Sequence, residues 1–320
     1  MVMQRQEFWR GRRVFITGHT GFKGGWLALW LSQLGAVVCG YALDPPSSPS
    51  LFETARVIDR LSDIRGDVCD LPAVEKSMRD FAPDVIFHLA AQSLVRESYR
   101  QPVLTYATNV MGTVHVLEAA RRTESVRALV CVTSDKCYEN REWSWGYREV
   151  DRLGGRDPYS SSKACCELIC AAYRDSFCCG ESRNVRKMGI ATVRAGNVIG
   201  GGDWAADRLL PDVIRALVAG EPARIRHPKA SRPWQYVLEP LRGYLSLAER
   251  LLERNGDFAS AWNFGPSELD ARPVEWIVRE VLRRWPGSVA WQLDENSQVH
   301  EAQVLRLDCT KAHVSLIGGQ

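Results

Sequence analysis

No apolar run in this chain approaches the roughly 20 residues of a membrane helix, so no spanning segment is expected. The first residues, 1–7, carry no apolar signal region either, and the sequence reads as a cytoplasmic protein. A dominant charge is also missing. Lys and Arg number 41 against 38 Asp and Glu, a net charge of +3 spread along the sequence. That balance gives no basis for nucleic-acid or membrane binding, although local arginines can still meet a phosphate. Ten cysteines are present, but neither Cys-x-x-Cys nor a Cys/His ligand spacing occurs, so no metal is expected. Cys39, Cys131 and Cys170 lie inside apolar patterns, which suits buried thiols in a reducing compartment better than disulfides. There is no internal repeat, low-complexity tract or long flexible linker; Pro45–Ser50 is only a local loop.

What remains is a chain of 320 residues, enough for one large domain or two unequal lobes. Arg13–Gly18 is a short apolar run ending in glycine and reads as a strand. Gly18-His-Thr-Gly21-Phe-Lys-Gly24 follows, then a helical pattern over Trp26–Leu34 and a second strand over Ala36–Tyr41. Strand, glycine turn, helix and strand within about 30 residues form a dinucleotide-binding unit. Its glycines let the backbone approach a pyrophosphate, whose charge is favoured at the helix N-terminus. The alternation continues through a helix near Pro72–Phe81, a strand at Val85–Ala91 and a helix at Tyr106–Arg122. A strand at Ala128–Thr133, a helix at Ser160–Phe177 and a strand at Gly189–Arg194 come next. Such a repeat predicts an α/β fold: a doubly wound parallel sheet, Rossmann-type, with ligands beyond the carboxyl ends of its strands. Gly18, Asp67, Ala91 and Ser134 fall at those ends. Past residue 195 a glycine-rich loop, Gly196–Trp204, opens a different texture, with helices expected over Arg208–Ala219, Pro240–Arg254 and Pro273–Arg284. The expected division is a dinucleotide-binding domain over 1–195, to which 234–264 returns, and a smaller mixed C-terminal substrate lobe over 196–320.

Chemistry concentrates between Val132 and Lys163. Ser134, Asp135 and Lys136 place a hydroxyl, an acid and an amine in succession after a buried strand. Tyr159 and Lys163 share one face if the helix already includes position 159. A lysine beside a tyrosine favours the phenolate, and a phenolate can take a hydroxyl proton while a hydride leaves the same carbon.

With these segments in place, the sequence resembles the extended short-chain dehydrogenase/reductase superfamily. Within it the chain is similar to the sugar-nucleotide 4,6-dehydratases, nearest to those acting on CDP-glucose. The resemblance rests on Gly18–Trp26, Thr133–Asn140, Trp145–Glu149, Asp157–Lys163, Gly196–Trp204 and Arg232–Pro240. Tyr-x-x-x-Lys marks only the superfamily. Ser134-Asp-Lys136 is more specific, because related dehydratases usually carry Glu where Lys136 stands.

The resemblance implies that Tyr159 takes the proton of the sugar 4-hydroxyl as hydride passes from C4 to NAD, with Lys163 keeping Tyr159 anionic. Asp135 would protonate the departing 6-hydroxyl and Ser134 would hydrogen-bond the 4-oxygen. Lys136 would act at C5, either neutral as a base or charged as a stabiliser of the enolate. For the cofactor, Gly18, Thr20, Gly21, Phe22 and Gly24 would line the pyrophosphate, and Asp67 with Val68 the adenine. Leu89, Ala90, Ala91 and Thr108 would line the passage to the nicotinamide, and His19 and Lys23 would lie near a cofactor phosphate or ribose. Tyr41 rather than Asp ends the second strand, so the acidic-residue rule leaves NAD and NADP open; a redox cycle that closes on a retained cofactor favours NAD. For the nucleotide-sugar substrate, Asn197, Arg208 and Arg232 match positions that meet the diphosphate, Ser93 and Arg96 would contact the sugar, and Trp143, Trp145 and Trp234 would wall the site. Relatives pair through two helices of the main sheet, implying a homodimer or a dimer of dimers. The family pattern continues beyond Leu307–Ala312 into a final helix, whereas this sequence ends at Gln320, from which a weaker small lobe is expected.

Overall fold

A computed structural model describes residues 2–178, 188–267, 270–287, 290–294 and 304–317. Seven strands form the main sheet: β1 (Arg13–Thr17), β2 (Val37–Ala42), β3 (Ser62–Arg65), β4 (Val85–His88), β5 (Ala128–Val132), β6 (Gly189–Ala195) and β7 (Ala261–Phe264). Their spatial order is β7-β6-β5-β4-β1-β2-β3, and every neighbouring pair is parallel. Alternate residues of one strand enter different cores. Val14 and Ile16 pack with Leu27, Leu31 and Leu241 on one face; Phe15 packs with Val116, Leu117 and Met78 on the other. A strand covered on both faces must be apolar throughout, which explains the unbroken runs.

Two strands escape the sequence pattern. β3 is short and polar (Ser62-Asp-Ile-Arg65) and sits at the sheet edge, while β7 adds an edge beside β6. The N-terminal helix Val2–Trp9 also lies outside the sequence reading. It buries Trp9 completely and ties its indole Nε1 to Glu249 Oε1 at 2.7 Å. The helix expected at Tyr106–Arg122 starts earlier, at Pro102, and is interrupted by a π-helical turn over Ala107–Met111. Pi turns recur at functional positions, and this one borders the cleft described below.

Past β6 the chain builds a second, smaller core. Helix Leu209–Ala219, the strand pair Ala223–Ile225 and Trp291–Leu293, and helix Val274–Arg284 meet around Val213, Leu217, Ile225 and Val278. Helix Leu238–Phe258 returns to cover the sheet, with Tyr244, Leu245 and Ala248 fully buried. Among the described residues, no helix is long and apolar enough to cross a membrane.

Candidate active site

One cleft of about 1430 Å³ runs along the carboxyl ends of the strands, between the sheet and the smaller core. Its floor begins at the turn after β1. Gly18 has φ +78, and a Cβ there would come within 2.7 Å of Ala90 N; a Cβ on Gly24 would meet Gly18 O at 2.1 Å. Only glycine permits so close a packing of turn, helix and strand. Gly21 precedes the helix Phe22–Gln33 without any side-chain cap, leaving first-turn N–H groups for an anion. This cradle fits the pyrophosphate of a dinucleotide. Thr20, Phe22 and Lys23 line the same stretch, followed by Asp67, Val68, Leu89, Ala90, Ala91 and Thr108. Burial, opposed by Asp135 but reinforced by Arg208 and Lys163, pushes the Lys23 amine down to about 8.

His19 is placed differently from its neighbours. It does not line the cleft; its ring is fully buried, with Nε2 2.8 Å from Asp63 Oδ1 on β3 and its edge against Phe52. Burial holds its pKa below the ordinary value despite Asp63. The residue thus fastens the glycine turn to the sheet edge. Trp143 and Trp145 also lie off the cleft, packed on each other at 5.0 Å, whereas Trp234 lines it. Asp44, whose side chain is 92% exposed, pairs with Arg65 at 3.6 Å.

At the centre, helix Pro158–Tyr173 begins with Asp157 as its cap, accepting from Ser160 N at 2.8 Å and from Ser160 Oγ at 2.5 Å. Proline at the first helical position suits that start, and it puts Tyr159 within the first turn, four residues before Lys163. Both are buried. Lys163 Nζ donates to Val132 O at 3.1 Å, at the end of β5. Burial alone would lower the Lys163 pKa, but Tyr159 beside it, then Cys166, Cys131 and Glu167, carry it above the ordinary value. The ammonium is therefore maintained next to the phenol.

The chain leaving β5 forms a short turn, Asp135–Cys137, capped by Ser134, whose Oγ accepts from Lys136 N at 3.2 Å and donates to Asp135 Oδ1 at 3.1 Å. Asp135 is 2% exposed, and its Oδ2 is buried without a partner. A buried carboxylate oxygen with no donor is costly unless a ligand completes it. Lys136 lies nearer the opening, its Nζ 3.9 Å from Asp135 Oδ1 and its side chain 36% exposed. The same cleft is lined by Ser93 and Arg96, which follow β4, and by Asn197, Arg208 and Arg232 from the chain past β6. Asn197 Oδ1 is likewise buried without a partner, and Arg208 is held by Asp203 at 2.9 Å and by Ser93 Oγ at 3.2 Å.

Two supports were not legible as functional. Asn109, in the π turn, accepts from Gln92 N at 2.8 Å and donates to Gln92 O at 3.0 Å and Ser162 Oγ at 2.9 Å, joining the β4 exit to the Tyr159 helix. Glu167, one turn after Lys163, accepts from Thr133 Oγ1 at 2.5 Å, Thr192 Oγ1 at 2.6 Å and Arg194 Nη2 at 2.7 Å. Arg194 Nη1 in turn donates to Tyr138 OH at 2.6 Å. Burial would raise the Glu167 carboxyl, but the donors, Arg194 foremost, bring it below its usual range. A glutamate inside an otherwise apolar helical stretch was the available signal.

Comparison with known proteins places this architecture. The model of the NAD dependent epimerase/dehydratase family matches residues 14–261. A CDP-glucose 4,6-dehydratase from Salmonella typhimurium is 52% identical over 311 residues, covering 97% of this chain and 87% of that protein. Among solved structures, an epimerase from Methanothermobacter thermautotrophicus superimposes with a TM-score of 0.82 at 20% identity, over 99% of this chain and 89% of the other. A dTDP-glucose 4,6-dehydratase from Streptomyces venezuelae, determined with NAD bound, gives 0.77 at 22% identity, over 95% and 90%.

Proposed function

The chain belongs to the NAD dependent epimerase/dehydratase family, and on that footing we infer that it dehydrates CDP-glucose to CDP-4-keto-6-deoxyglucose with NAD as its cofactor. One observation carries the reading beyond family membership: Asp135, with an unpartnered buried oxygen, shares a cleft with Tyr159 and Lys163. An epimerase needs the phenol and the ammonium, but has no use for a second acid beside them.

NAD, held at the turn of Gly18, Gly21 and Gly24, would supply reversible hydride transfer between C4 and C6 of the hexose. The chain supplies the rest. Tyr159, kept beside a charged Lys163, removes the proton of the 4-hydroxyl, and Ser134 hydrogen-bonds the same oxygen. The ketone acidifies C5; Lys136 takes the C5 proton as the 6-oxygen departs, faces the enolate charge as an ammonium, and returns the proton to C5 when hydride arrives at C6. Asp135 protonates the 6-oxygen as it leaves as water. Asn197, Arg208 and Arg232 hold the diphosphate, and Ser93 with Arg96 flank the sugar. His19 supports the cofactor turn from behind while Lys23 faces the cleft.

Val103, Leu104, Met111 and Leu168 are exposed apolar side chains on the two helical segments flanking the cleft. They support association of two copies through these helices, as a homodimer or a dimer of dimers. Cys39, Cys131, Cys137, Cys166, Cys170 and Cys309 are buried free thiols, which supports a cytoplasmic setting. Mass spectrometry tests the reaction: CDP-glucose incubated with protein and NAD loses one water, and dTDP-, UDP- and GDP-glucose lose it more slowly. Unchanged mass with scrambled C4 configuration would assign an epimerase instead.

A further inference from the structure

The glycine-rich loop Gly196–Trp204 touches both the cofactor helix and the substrate side of the cleft, and its one acid, Asp203, has no part in the reaction above. On the cofactor side, Trp26 Nε1 in the helix Phe22–Gln33 donates to Gly201 O at 2.9 Å. Gly202 adopts φ +83, and a Cβ there would come within 2.5 Å of Leu51 Cδ1, so the loop is pressed against its neighbours with no room for a side chain. On the substrate side, Asp203 Oδ2 lies 2.9 Å from Arg208 Nη1, and Asp203 Oδ1 accepts from Ala205 N at 3.3 Å. Arg208 Nη2 donates to Ser93 Oγ at 3.2 Å. Asp203, Arg208 and Lys23 all line the cleft. Burial first, then Arg208 and more weakly Lys163, lowers the Lys23 pKa, while Asp135 and Asp203 oppose the shift. Lys23 and Arg208 are thus cations within electrostatic reach of each other, with Asp203 within reach of both.

We propose that Asp203 is a positioning residue for substrate binding: seated by the loop on the cofactor helix, it holds Arg208 aimed at the diphosphate of the sugar nucleotide. The inference rests on the sugar-nucleotide reading above. Two effects of the carboxylate oppose each other. Its charge repels an incoming phosphate, yet it also fixes a long side chain that ligand binding would otherwise have to order at an entropic cost. The second effect wins. The Asp203 side chain is 8% exposed and already paired with Arg208, so its charge is largely cancelled where the phosphate arrives. Arg208 is 34% exposed, and without Asp203 the repulsion of Lys23 would drive it toward solvent. Asp203 and Ser93 engage only two of the five N–H donors of a guanidinium, which leaves the others to bind phosphate oxygens in a fork.

Calorimetric titration of the NAD-loaded protein with CDP, together with KM for CDP-glucose, tests this. Asp203→Asn keeps the size of the side chain and removes its charge. It should weaken CDP binding and raise KM by about three- to ten-fold, with a smaller change in kcat. Because Asp203 acts through Arg208, the same substitution made in an Arg208→Gln protein should cost little further CDP affinity. A merely structural role would instead cost affinity in both backgrounds. Asp203→Asn binding CDP as tightly as the parent or more tightly, or losing the same factor with and without Arg208, would overturn the positioning role. Loss of CDP affinity that depends on Arg208, in a protein that does not turn over CDP-glucose, would sink the proposed reaction yet leave this inference intact.

Discussion

In the proposed mechanism Tyr159 and Asp135 handle different protons, on the 4-oxygen and the 6-oxygen of the sugar, and that separation is testable residue by residue. Tyr159→Phe removes the group proposed to deprotonate the 4-hydroxyl, so no reduced nicotinamide should appear on the enzyme under single-turnover conditions. Asp135→Asn leaves that first step in place. It should slow loss of water by roughly 10²- to 10⁴-fold, the usual contribution of a general acid, while reduced-nicotinamide absorbance accumulates. Equal water release by Asp135→Asn and the parent chain would exclude the residue from the mechanism. These side chains were legible because their spacing is local: Tyr159 and Lys163 are four apart in one helix, and Ser134, Asp135 and Lys136 are consecutive. His19 illustrates the converse. Its place in the glycine turn points to the cofactor, but its ring contacts Asp63, which lies 44 residues away on a strand the sequence pattern does not reveal.

At the scale of elements, the Tyr159 helix and the strap leaving β5 are aligned by Glu167. It bonds Thr133 on the strap side, Thr192 and Arg194 on β6, and through Arg194 it reaches Tyr138, which donates to Asn263 Oδ1 on β7 at 2.8 Å. Both members of the Glu167–Arg194 pair are 3% exposed in their side chains. Breaking such a pair leaves a buried charge uncompensated, which costs about 3–5 kcal/mol. Glu167→Gln should therefore lower unfolding free energy by that order in a denaturant titration. Thr133→Val, which removes one hydroxyl donor and keeps the ion pair, should cost only about 1 kcal/mol. A Glu167→Gln protein as stable as its parent would show that the pair contributes no net stability. The helix itself follows from Asp157 and Pro158, a cap and a first-turn proline readable in one dimension. Its attachment to three strands is not readable, because each partner comes from a different segment.

For the molecule as a whole, acid sensitivity should reflect its buried histidines. His88 lies between Thr17 Oγ1 at 2.7 Å and Thr113 Oγ1 at 3.1 Å. Burial, with repulsion from Lys163, pushes it down to about 3 from an ordinary 6.5; His19 is lowered as well. Below 6.5 the unfolded chain takes up a proton that the folded protein refuses, so stability is full above that pH and declines as pH falls toward 3. The slope for one such group approaches about 1.4 kcal/mol per pH unit. Denaturation midpoints at about pH 7 and about pH 5.5 should differ less for His88→Gln than for the parent chain; an identical difference would remove His88 as a source. Strand–helix alternation and strands apolar throughout determined the parallel sheet from sequence alone, since burial on both faces leaves a mark on every residue. The glycine turn, the Tyr159–Lys163 pair and the Ser134–Lys136 run were determined in the same way, because each lies within one element or one turn. Only the tertiary structure decided that Asp135 keeps an oxygen without a partner, that His19 turns toward Asp63, and that Arg208 reaches Ser93. Those outcomes depend on which polar groups the folded chain brings together from distant segments, and distance along a sequence carries no record of distance in space.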